Sequence, residues 1–268
     1  MGLYDVHAHL TDPRLAAIEN VVLERARAAG VTTILSNGLN PRDNQRVLDL
    51  AGRAPDLVRP ALGLYPVDAV LPEMLAMGED YPRDEDPVPG EEAIAWLEAH
   101  LDQAVAVGEI GLDRYWVPEA LWQRQEDLFC ELVRLAMAAD KPIIIHSRKA
   151  ERRCLELLLE LGATRVDWHC FSSRVKLGRQ IAEAGHYLSI PANARKAQNF
   201  TRLLETLPRD KILLETDCPY LAPTRGELNE PANVATTAAY AAELWGCEHS
   251  EVVGQLEENF ERLFGFSP

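Results

Sequence analysis

Residues 142–148 read Pro-Ile-Ile-Ile-His-Ser-Arg, and this stretch is the clearest indication of the fold. A short, uninterrupted run of apolar residues is typical of a strand that is buried on both faces, as in the parallel sheets of α/β proteins. The run ends in His146, so a polar side chain stands at the carboxyl end of the predicted strand. In α/β barrels the carboxyl ends of the strands carry the functional groups, which makes His146 a candidate site residue.

Four other predicted strands have the same design, an apolar run that ends in histidine or a carboxylate. Their ends read Asp5-Val6-His7-Ala8-His9, Gly108-Glu109, Trp168-His169 and Glu215-Thr216-Asp217. Each ending taken alone has an ordinary structural explanation. Chance does not readily place six His, Glu and Asp residues only at the carboxyl ends of strands, so together they predict one site.

Short strand patterns alternate with helical patterns along the whole chain. The predicted strands lie near residues 3–8, 31–36, 57–63, 104–109, 142–146, 164–169, 186–190 and 211–216. The predicted helices lie near 13–29, 41–53, 91–101, 118–139, 149–161, 173–184, 195–206, 231–245 and 250–264. This order fits a closed (β/α)8 TIM barrel or an open doubly wound sheet. The spread of polar strand ends favours the barrel, so we predict a single α/β barrel domain over residues 1–268, with an additional C-terminal helix.

One segment does not follow this alternation of strands and helices. Residues 67–91 form a Pro-rich insertion with eight acidic residues and one arginine. The insertion follows the third strand, so in a barrel it lies on the same face as the candidate site. Its composition favours a disordered surface loop, and the alternative is a lid or selectivity loop.

Composition limits the range of partners. The chain has 268 residues and a formal net charge of −15. Proteins that bind long nucleic acid usually have a stripe of basic residues, so this composition does not favour such a partner. The chain has five cysteines and no closely spaced pair, which predicts a reduced, cytoplasmic setting. We find no signal-type or membrane-spanning segment, so we predict a protein that does not enter a membrane. No obligate protein partner is evident.

The strand-end residues are chemically suited to bind metal. Side chains alternate along a strand, so Asp5, His7 and His9 are expected to share one face. Imidazole and carboxylate ligands suit Zn²⁺, Mn²⁺, Fe²⁺, Co²⁺ or Ni²⁺. Six ligands are too many for one catalytic zinc with an open position, but they suit two cations ~3.5–4 Å apart that share a carboxylate. Glu109 is the candidate bridge.

Other polar and aromatic residues have structural interpretations. His100, His186 and His249 do not lie at carboxyl strand ends, and Cys170 and Cys218 are expected to point away from the site. The segment Asn229–Asn233 is interpreted as a cap of the helix near 231. The five tryptophans are scattered, and no base-stacking platform is evident among Trp96, Trp116, Trp122, Trp168 and Trp245.

The strand-end motifs resemble those of the TatD family of the amidohydrolase superfamily. D-V-H-A-H (5–9), G-E-I-G-L-D (108–113), H-S-R (146–148), H-C-F-S (169–172), L-E-T-D-C-P-Y-L (214–221) and N-F-E-R-L-F (259–264) stand in the family's order over the whole length. The combination is highly specific. The resemblance implies a (β/α)8 metal-dependent hydrolase, in a family where deoxyribonuclease and 3′–5′ exonuclease activities are described.

The resemblance also implies which residues share each cation. His7, His9, Glu109 and Asp217 would hold one, and Glu109, His146 and His169 the second. Three departures from the family concern substrate recognition. Tyr65 stands where the family usually has a histidine that faces substrate, the loop after it is longer, and Ser189-Ile190-Pro191-Ala192 replaces a Ser-Gly pattern.

These observations predict hydrolysis of a phosphate ester by a metal-bound hydroxide. The expected cofactor is two divalent cations from the set Zn, Mn, Mg, Ni and Co, and the expected substrate is a short single-stranded DNA end or a small phosphate ester. Asp217 and Glu109 are the predicted catalytic residues, whereas Arg148 and Tyr65 are predicted to bind substrate. Two alternatives stay open, namely a hydrolase of amides, lactones or cyclic imides and a non-catalytic metal-binding scaffold.

Overall fold

The computed structural model describes residues 2–83 and 86–266. Eight parallel strands form one sheet in the order of the sequence, β1 to β8. Their bounds are Leu3–Ala8, Val31–Asn37, Val58–Leu62, Ala106–Asp113, Ile143–Arg148, Val166–Trp168, Tyr187–Ile190 and Ile212–Leu214. The observed order and the predicted one agree, and β4 runs four residues further than predicted.

Helices follow the strands. Their bounds, from α1 to α11, are Pro13–Ala16, Glu19–Ala28, Pro41–Arg53, Leu71–Ala76, Gly90–Glu98, Trp122–Ala138, Glu151–Leu161, Val175–Glu183, Gln198–Thr206, Val234–Trp245 and His249–Phe264. Local sequence explains several of these ends. The Asn40 side chain accepts a hydrogen bond from the backbone N–H of Asp43, with Pro41 at the first helical position. The single helix predicted over 13–29 is wrong, because the chain leaves helical geometry at Ile18 and forms two helices.

The barrel closes between β1 and the residues that follow β8. His9 N–H donates to the carbonyl oxygen of Cys218 over 2.8 Å, and Asp217 N–H donates to that of His7 over 2.9 Å. The Asp5 carboxylate accepts from the Thr216 N–H and hydroxyl, at 2.8 and 2.6 Å. Asp5 therefore closes the barrel seam, and the predicted (β/α)8 architecture is confirmed.

The strands do not alternate regularly where they approach the site. Val6 and Ala106 belong to the apolar cluster of the barrel interior, whereas Ala8, Val107 and Ile110 belong to the cluster that packs against the helices. Register shifts between Asp5 and Ala8, and between Val107 and Ile110, account for the change of side. They turn His7 and Glu109 toward the interior, so the shared face predicted for Asp5 and His7 by simple alternation is wrong.

The last helix, α11, covers the end of the barrel where the strands begin. Phe260 is fully buried and stacks on Tyr4 of β1, with ring centroids 4.3 Å apart. The Asn259 amide donates to the carbonyl oxygens of Arg209 and Ile212, at 2.7 and 2.8 Å. The predicted additional C-terminal helix is therefore part of the core.

We expect Phe260→Ala to lower the free energy of unfolding by about 3–5 kcal/mol, because it removes a large ring from a close-packed interior. Urea denaturation followed by circular dichroism measures the loss. Leu159→Ala, at a side chain that is 54% exposed on α7, is the control and should change stability by less than about 0.5 kcal/mol. Equal stability of the two variants would show that α11 contributes little to the fold.

The insertion at 67–91 is partly helical. It begins with a short 3-10 helix, Asp68–Val70, and continues into α4. Val67, Val70 and Met74 are buried in the core. The expectation of a disordered loop is therefore wrong for residues 68–76, and the irregular described part is limited to residues 77–83 and 86–89.

Candidate metal centre

The structure brings the six predicted ligands together at the mouth of the barrel. His7, Glu109 and His146 lie within strands, whereas His9, His169 and Asp217 follow them by one to three residues. Their nitrogen and oxygen atoms form two of the groups among the described residues that could hold a cation, with all ligand atoms of a group within 4.8 Å of one another. These are His7, His9 and Asp217, and Glu109, His146 and His169.

The first group surrounds a small space. Nε2 of His7 and Nε2 of His9 are 3.2 Å apart. Glu109 Oε2 lies 3.6 Å from each of these nitrogens. Asp217 Oδ1 lies 3.8 Å from His7 Nε2 and 3.5 Å from His9 Nε2. Four donor atoms therefore converge from three different places in the chain.

The second group uses the other oxygen of the same carboxylate. Glu109 Oε1 lies 2.6 Å from His146 Nδ1 and 3.6 Å from His169 Nε2. The rings of His169 and His7 stack with centroids 3.7 Å apart, so the two groups are in contact. One oxygen of Glu109 faces each group, which is the arrangement of a carboxylate that bridges two cations.

The electrostatics of the cluster favour added positive charge. Burial disfavours the ionised form of Glu109, but hydrogen bonds and charges from the surrounding histidines outweigh burial and hold its pKa well below the ordinary value. Burial lowers the pKa of His7 to about 3, so this ring is neutral, the form in which an imidazole can bind a metal. In contrast, the neighbouring carboxylates overcome burial and raise the pKa of His9 to about 9 and of His169 to about 10. Divalent cations would supply the positive charge that these carboxylates attract, so the donor set fits a metal.

Three imidazoles are oriented by a partner on their second nitrogen. His9 Nδ1 lies 3.2 Å from the Asn37 carbonyl oxygen, His146 Nε2 lies 3.2 Å from Asp113 Oδ2, and His169 Nδ1 lies 3.3 Å from Glu215 Oε2. Such partners fix the ring and leave the other nitrogen to face the metal. His7 Nδ1 has no hydrogen-bond partner among the described residues.

Sequence reasoning did not assign roles to Asp113 and Glu215. Asp113 closes the G-E-I-G-L-D motif, and Glu215 stands two residues before Asp217. Ser189 begins the stretch 189–192 that departs from the family pattern, and its Oγ lies 2.7 Å from Glu215 Oε2 and 2.9 Å from Asp167 Oδ2. Through Ser189 this stretch contacts the carboxylate that orients His169.

The loop that carries Asp217 is held by Asn229. Its amide donates to the carbonyl oxygens of Thr216 and Tyr220, which lie on either side of Asp217. Asp217 itself has a φ of 54°, a region that L-residues seldom adopt. The interpretation of 229–233 as a helix cap is wrong, because neither of the helices that begin there receives a side-chain cap.

The other histidines and cysteines lie outside the ligand groups. His186 is buried and bonded to the Trp168 indole N–H and to the Ala163 carbonyl oxygen, and His100 stacks on Trp96. Neither Cys170 nor Cys218 belongs to a ligand group among the residues that the structure describes.

The chain resembles proteins of known family over nearly its whole length. The family model described as TatD related DNase matches residues 4–265. The human deoxyribonuclease TATDN3 is 30% identical over 270 residues, which cover 98% of this chain and 95% of that protein. YabD of Bacillus subtilis, described as an uncharacterized metal-dependent hydrolase, is 33% identical over 98% of both chains.

The chain belongs to the TatD family.

A solved TatD structure has the same fold. The TatD homologue YjjV of Escherichia coli superposes with a TM-score of 0.84 at 27% identity, covering 99% of this chain and 98% of that one. The resemblance inferred from the strand-end motifs is thus confirmed. Within residues 2–83 and 86–266, no helix of this TatD protein is long and apolar enough to cross a membrane.

The two predicted substrate residues of the TatD chain lie beside the second ligand group. The Tyr65 ring is 5.0 Å from that of His146, edge to face. Arg148 is exposed and its guanidinium lies 3.9 Å from the centroid of the Tyr115 ring. Trp116 lies in the same region, with its ring centroid 5.0 Å from that of Tyr115.

We expect Asp113→Asn to weaken binding of the second cation by about 10- to 100-fold, because an amide N–H would face His146 Nε2 instead of a carboxylate oxygen. Isothermal titration with Mn²⁺ or Zn²⁺ measures the change. Asp43→Asn makes the same substitution at another buried aspartate, which accepts from Thr11 and Leu39, and should keep the affinity. Wild-type affinity in Asp113→Asn would show that His146 needs no partner.

Proposed function

We propose that this TatD protein is a divalent-metal-dependent hydrolase of phosphate ester bonds, a deoxyribonuclease that acts on short single-stranded ends or small phosphodiesters. The observation that carries the proposal is the position of Glu109, whose two carboxylate oxygens face two separate groups of histidines at the barrel mouth. Paired cations are a recurring solution for displacement at phosphorus. The name of the relative TATDN3 supports DNA as the substrate.

The centre is proposed to hold two cations. His7, His9, Glu109 and Asp217 would bind one, and Glu109, His146 and His169 the other. When bound, the cations neutralise phosphate oxygens and lower the pKa of water. The imidazole-rich ligand set favours Zn²⁺, Mn²⁺, Co²⁺ or Ni²⁺ over Mg²⁺, which prefers oxygen ligands.

Asp217 and Glu109 are proposed to have different roles. The Asp217 side chain is 14% exposed, whereas that of Glu109 is 3% exposed. Burial opposes ionisation of Asp217, but the hydrogen bond from His9 and the nearby imidazoles lower its pKa, so it is a carboxylate at neutral pH. An ionised carboxylate open to the mouth can orient the attacking water and accept its proton. Glu109, which is enclosed, holds the cations.

Arg148 and Tyr65 are proposed to contact substrate. Arg148 is the exposed last residue of β5, the strand that carries His146, and its guanidinium can bind a phosphate with two hydrogen bonds. Tyr65 packs against the His146 ring, at the position where the family resemblance implies a histidine. Its position suits contact with a sugar or base rather than with the cations.

A turnover screen of the metal-loaded protein tests the proposal. The substrates are a phosphodiester, a phosphomonoester, an amide, a lactone and a cyclic imide, so that both alternative hydrolase classes are included. We expect hydrolysis of the phosphate esters, lost on chelation and restored by added metal. Preferential opening of the amide, lactone or imide would reassign the chemistry, and metal binding without turnover of any of them would indicate a scaffold.

We predict that single-stranded DNA ends are cleaved faster than blunt duplex. The chain has 42 acidic and 27 basic residues, so phosphates along a duplex would meet a negative surface beyond the centre. A side-by-side rate comparison at about 0.15 M salt, where screening acts over about 8 Å, makes the measurement. Fastest cleavage of blunt duplex, with a steep salt dependence, would contradict the prediction.

A further inference from the structure

Four aromatic side chains line one side of the metal centre. Tyr65, Tyr81, Tyr115 and Trp116 form what we call the aromatic ledge. The Tyr81 ring lies 5.4 Å from that of Trp116, and Trp116 lies 5.0 Å from Tyr115, each pair edge to face. Tyr115 is 47% exposed and Trp116 is 41% exposed, so large ring surfaces remain accessible. Exposed aromatics grouped beside a catalytic site mark a binding surface.

The ledge is connected to the metal centre by direct contacts. Asp113 Oδ1 accepts the backbone N–H groups of Tyr115 and Trp116, at 2.8 and 2.9 Å. The other oxygen of the same carboxylate faces His146. At the opposite end of the ledge, Tyr65 packs on the same histidine. The ledge therefore begins and ends at one proposed metal ligand.

Cations accompany the aromatic rings. The Arg83 guanidinium lies 5.4 Å from the Tyr65 ring centroid and 5.3 Å from that of Tyr81. Arg148 and Lys149 both lie over Tyr115, at 3.9 and 4.8 Å. Neither of these two exposed cations forms an ion pair with a residue that the structure describes. In a chain of net charge −15, these two side chains are therefore available to an anionic ligand beside the aromatic rings.

We propose that the aromatic ledge binds the bases of single-stranded DNA next to the scissile phosphate, while Arg148 and Lys149 contact the backbone. The inference rests on the proposed function and names the residues that select its substrate. Aromatic rings interleaved with cations are the means by which proteins bind single strands without sequence preference, since every base has a face that stacks. Bases in a duplex are already stacked on each other and cannot reach the ledge.

The insertion acquires a role in this proposal. Tyr81 and Arg83 both come from residues 67–91, and Arg83 is held by Asp68, whose Oδ1 lies 2.7 Å from its Nε. Asp68 is buried in the helical first half of the insertion and accepts from the Asn40 amide. The helical first half of the insertion thus positions Arg83 next to Tyr81 of the ledge, and the segment acts in substrate selection.

The test measures binding apart from turnover. The probe is a fluorescent phosphorothioate oligo-dT of about eight nucleotides, within the site sizes of single-strand-binding folds, titrated with Mn²⁺-loaded protein by anisotropy. We expect Trp116→Ala to weaken binding by about 5- to 150-fold, the loss typical for one stacked base. Trp116→Phe should restore most of it. Trp245→Ala, which removes the ring of an Arg209–Trp245 pair at the end of α10, is the matched control and should keep wild-type affinity.

Two further measurements complete the test. Arg148→Ala should lower the slope of log affinity against log salt concentration for oligo-dT by about one, the amount expected for the loss of one phosphate contact. Trp116→Ala should lower the ratio of oligo-dT to small-ester turnover. Three outcomes would each contradict the proposed role of the ledge. Trp116→Ala would bind oligo-dT with wild-type affinity, or it would lose turnover of oligo-dT and of the small ester equally. In the third, the wild-type protein would bind a duplex of the same length as tightly as oligo-dT. Loss of oligo-dT binding in Trp116→Ala without hydrolysis of any phosphate ester would instead refute the proposed function alone.

Discussion

Glu109→Gln is expected to remove metal from the centre and to nearly abolish turnover. Glu109 presents one anionic oxygen to His7 and His9 and the other to His146 and His169. Glutamine has a single neutral oxygen, and its NH₂ group would face one cation directly. Metal affinity should therefore fall by more than the about 10- to 100-fold that loss of an outer partner costs.

The measurements for Glu109→Gln are metal per chain by mass spectrometry and the initial rate at saturating metal. Glu126→Gln is the matched control, since Glu126 of α6 is also buried but is paired with Arg114 and with Arg153 of α7. The control should retain metal and rate. A wild-type rate in Glu109→Gln at saturating metal would mean that this carboxylate is only structural.

Asp217→Asn is expected to separate chemistry from metal binding. Its rate should fall by about 10²- to 10⁴-fold, the usual contribution of a positioned proton acceptor. Occupancy of the second cation should change little, because Glu109, His146 and His169 remain. The first cation keeps His7, His9 and Glu109 and should bind more weakly.

Single-turnover rates and metal content, measured on the same Asp217→Asn samples, test this separation. Asp43→Asn is the control for loss of a buried carboxylate outside the ligand groups. Full activity of Asp217→Asn would remove Asp217 from the mechanism. Equal loss of rate and of both cations would make it a ligand with no further role.

The sequence by itself determined the barrel, its family and the identity of the six candidate ligands. The reason is that strand and helix periods are local properties, and the carboxyl ends of parallel strands must meet at one face once the sheet closes. A histidine after Ile143–Ile145 and a carboxylate after the eighth strand are therefore brought together by topology alone. Their types then favour metal binding.

Only the tertiary structure decided in which direction those side chains point and which residues surround them. Simple alternation places His7 on the same face as Asp5, but register shifts in β1 and β4 turn His7 and Glu109 inward while Asp5 bonds to Thr216 at the seam. A bulge depends on pairing with the neighbouring strand, which no local pattern records. The roles of Asp113 and Glu215 likewise depend on which imidazole lies opposite.

The aromatic ledge illustrates the same limit. Tyr65, Tyr81 and Trp116 are separated by 16 and 35 positions in the sequence, so spacing gives no indication that they meet. The insertion was interpreted from its acidic, Pro-rich composition, yet Val67, Val70 and Met74 anchor its first half in the core. Composition describes a segment's average tendency to be solvated, whereas burial of a few apolar side chains against α6 and the barrel fixes where Tyr81 and Arg83 lie. That placement is a long-range property, and only the folded chain contains it.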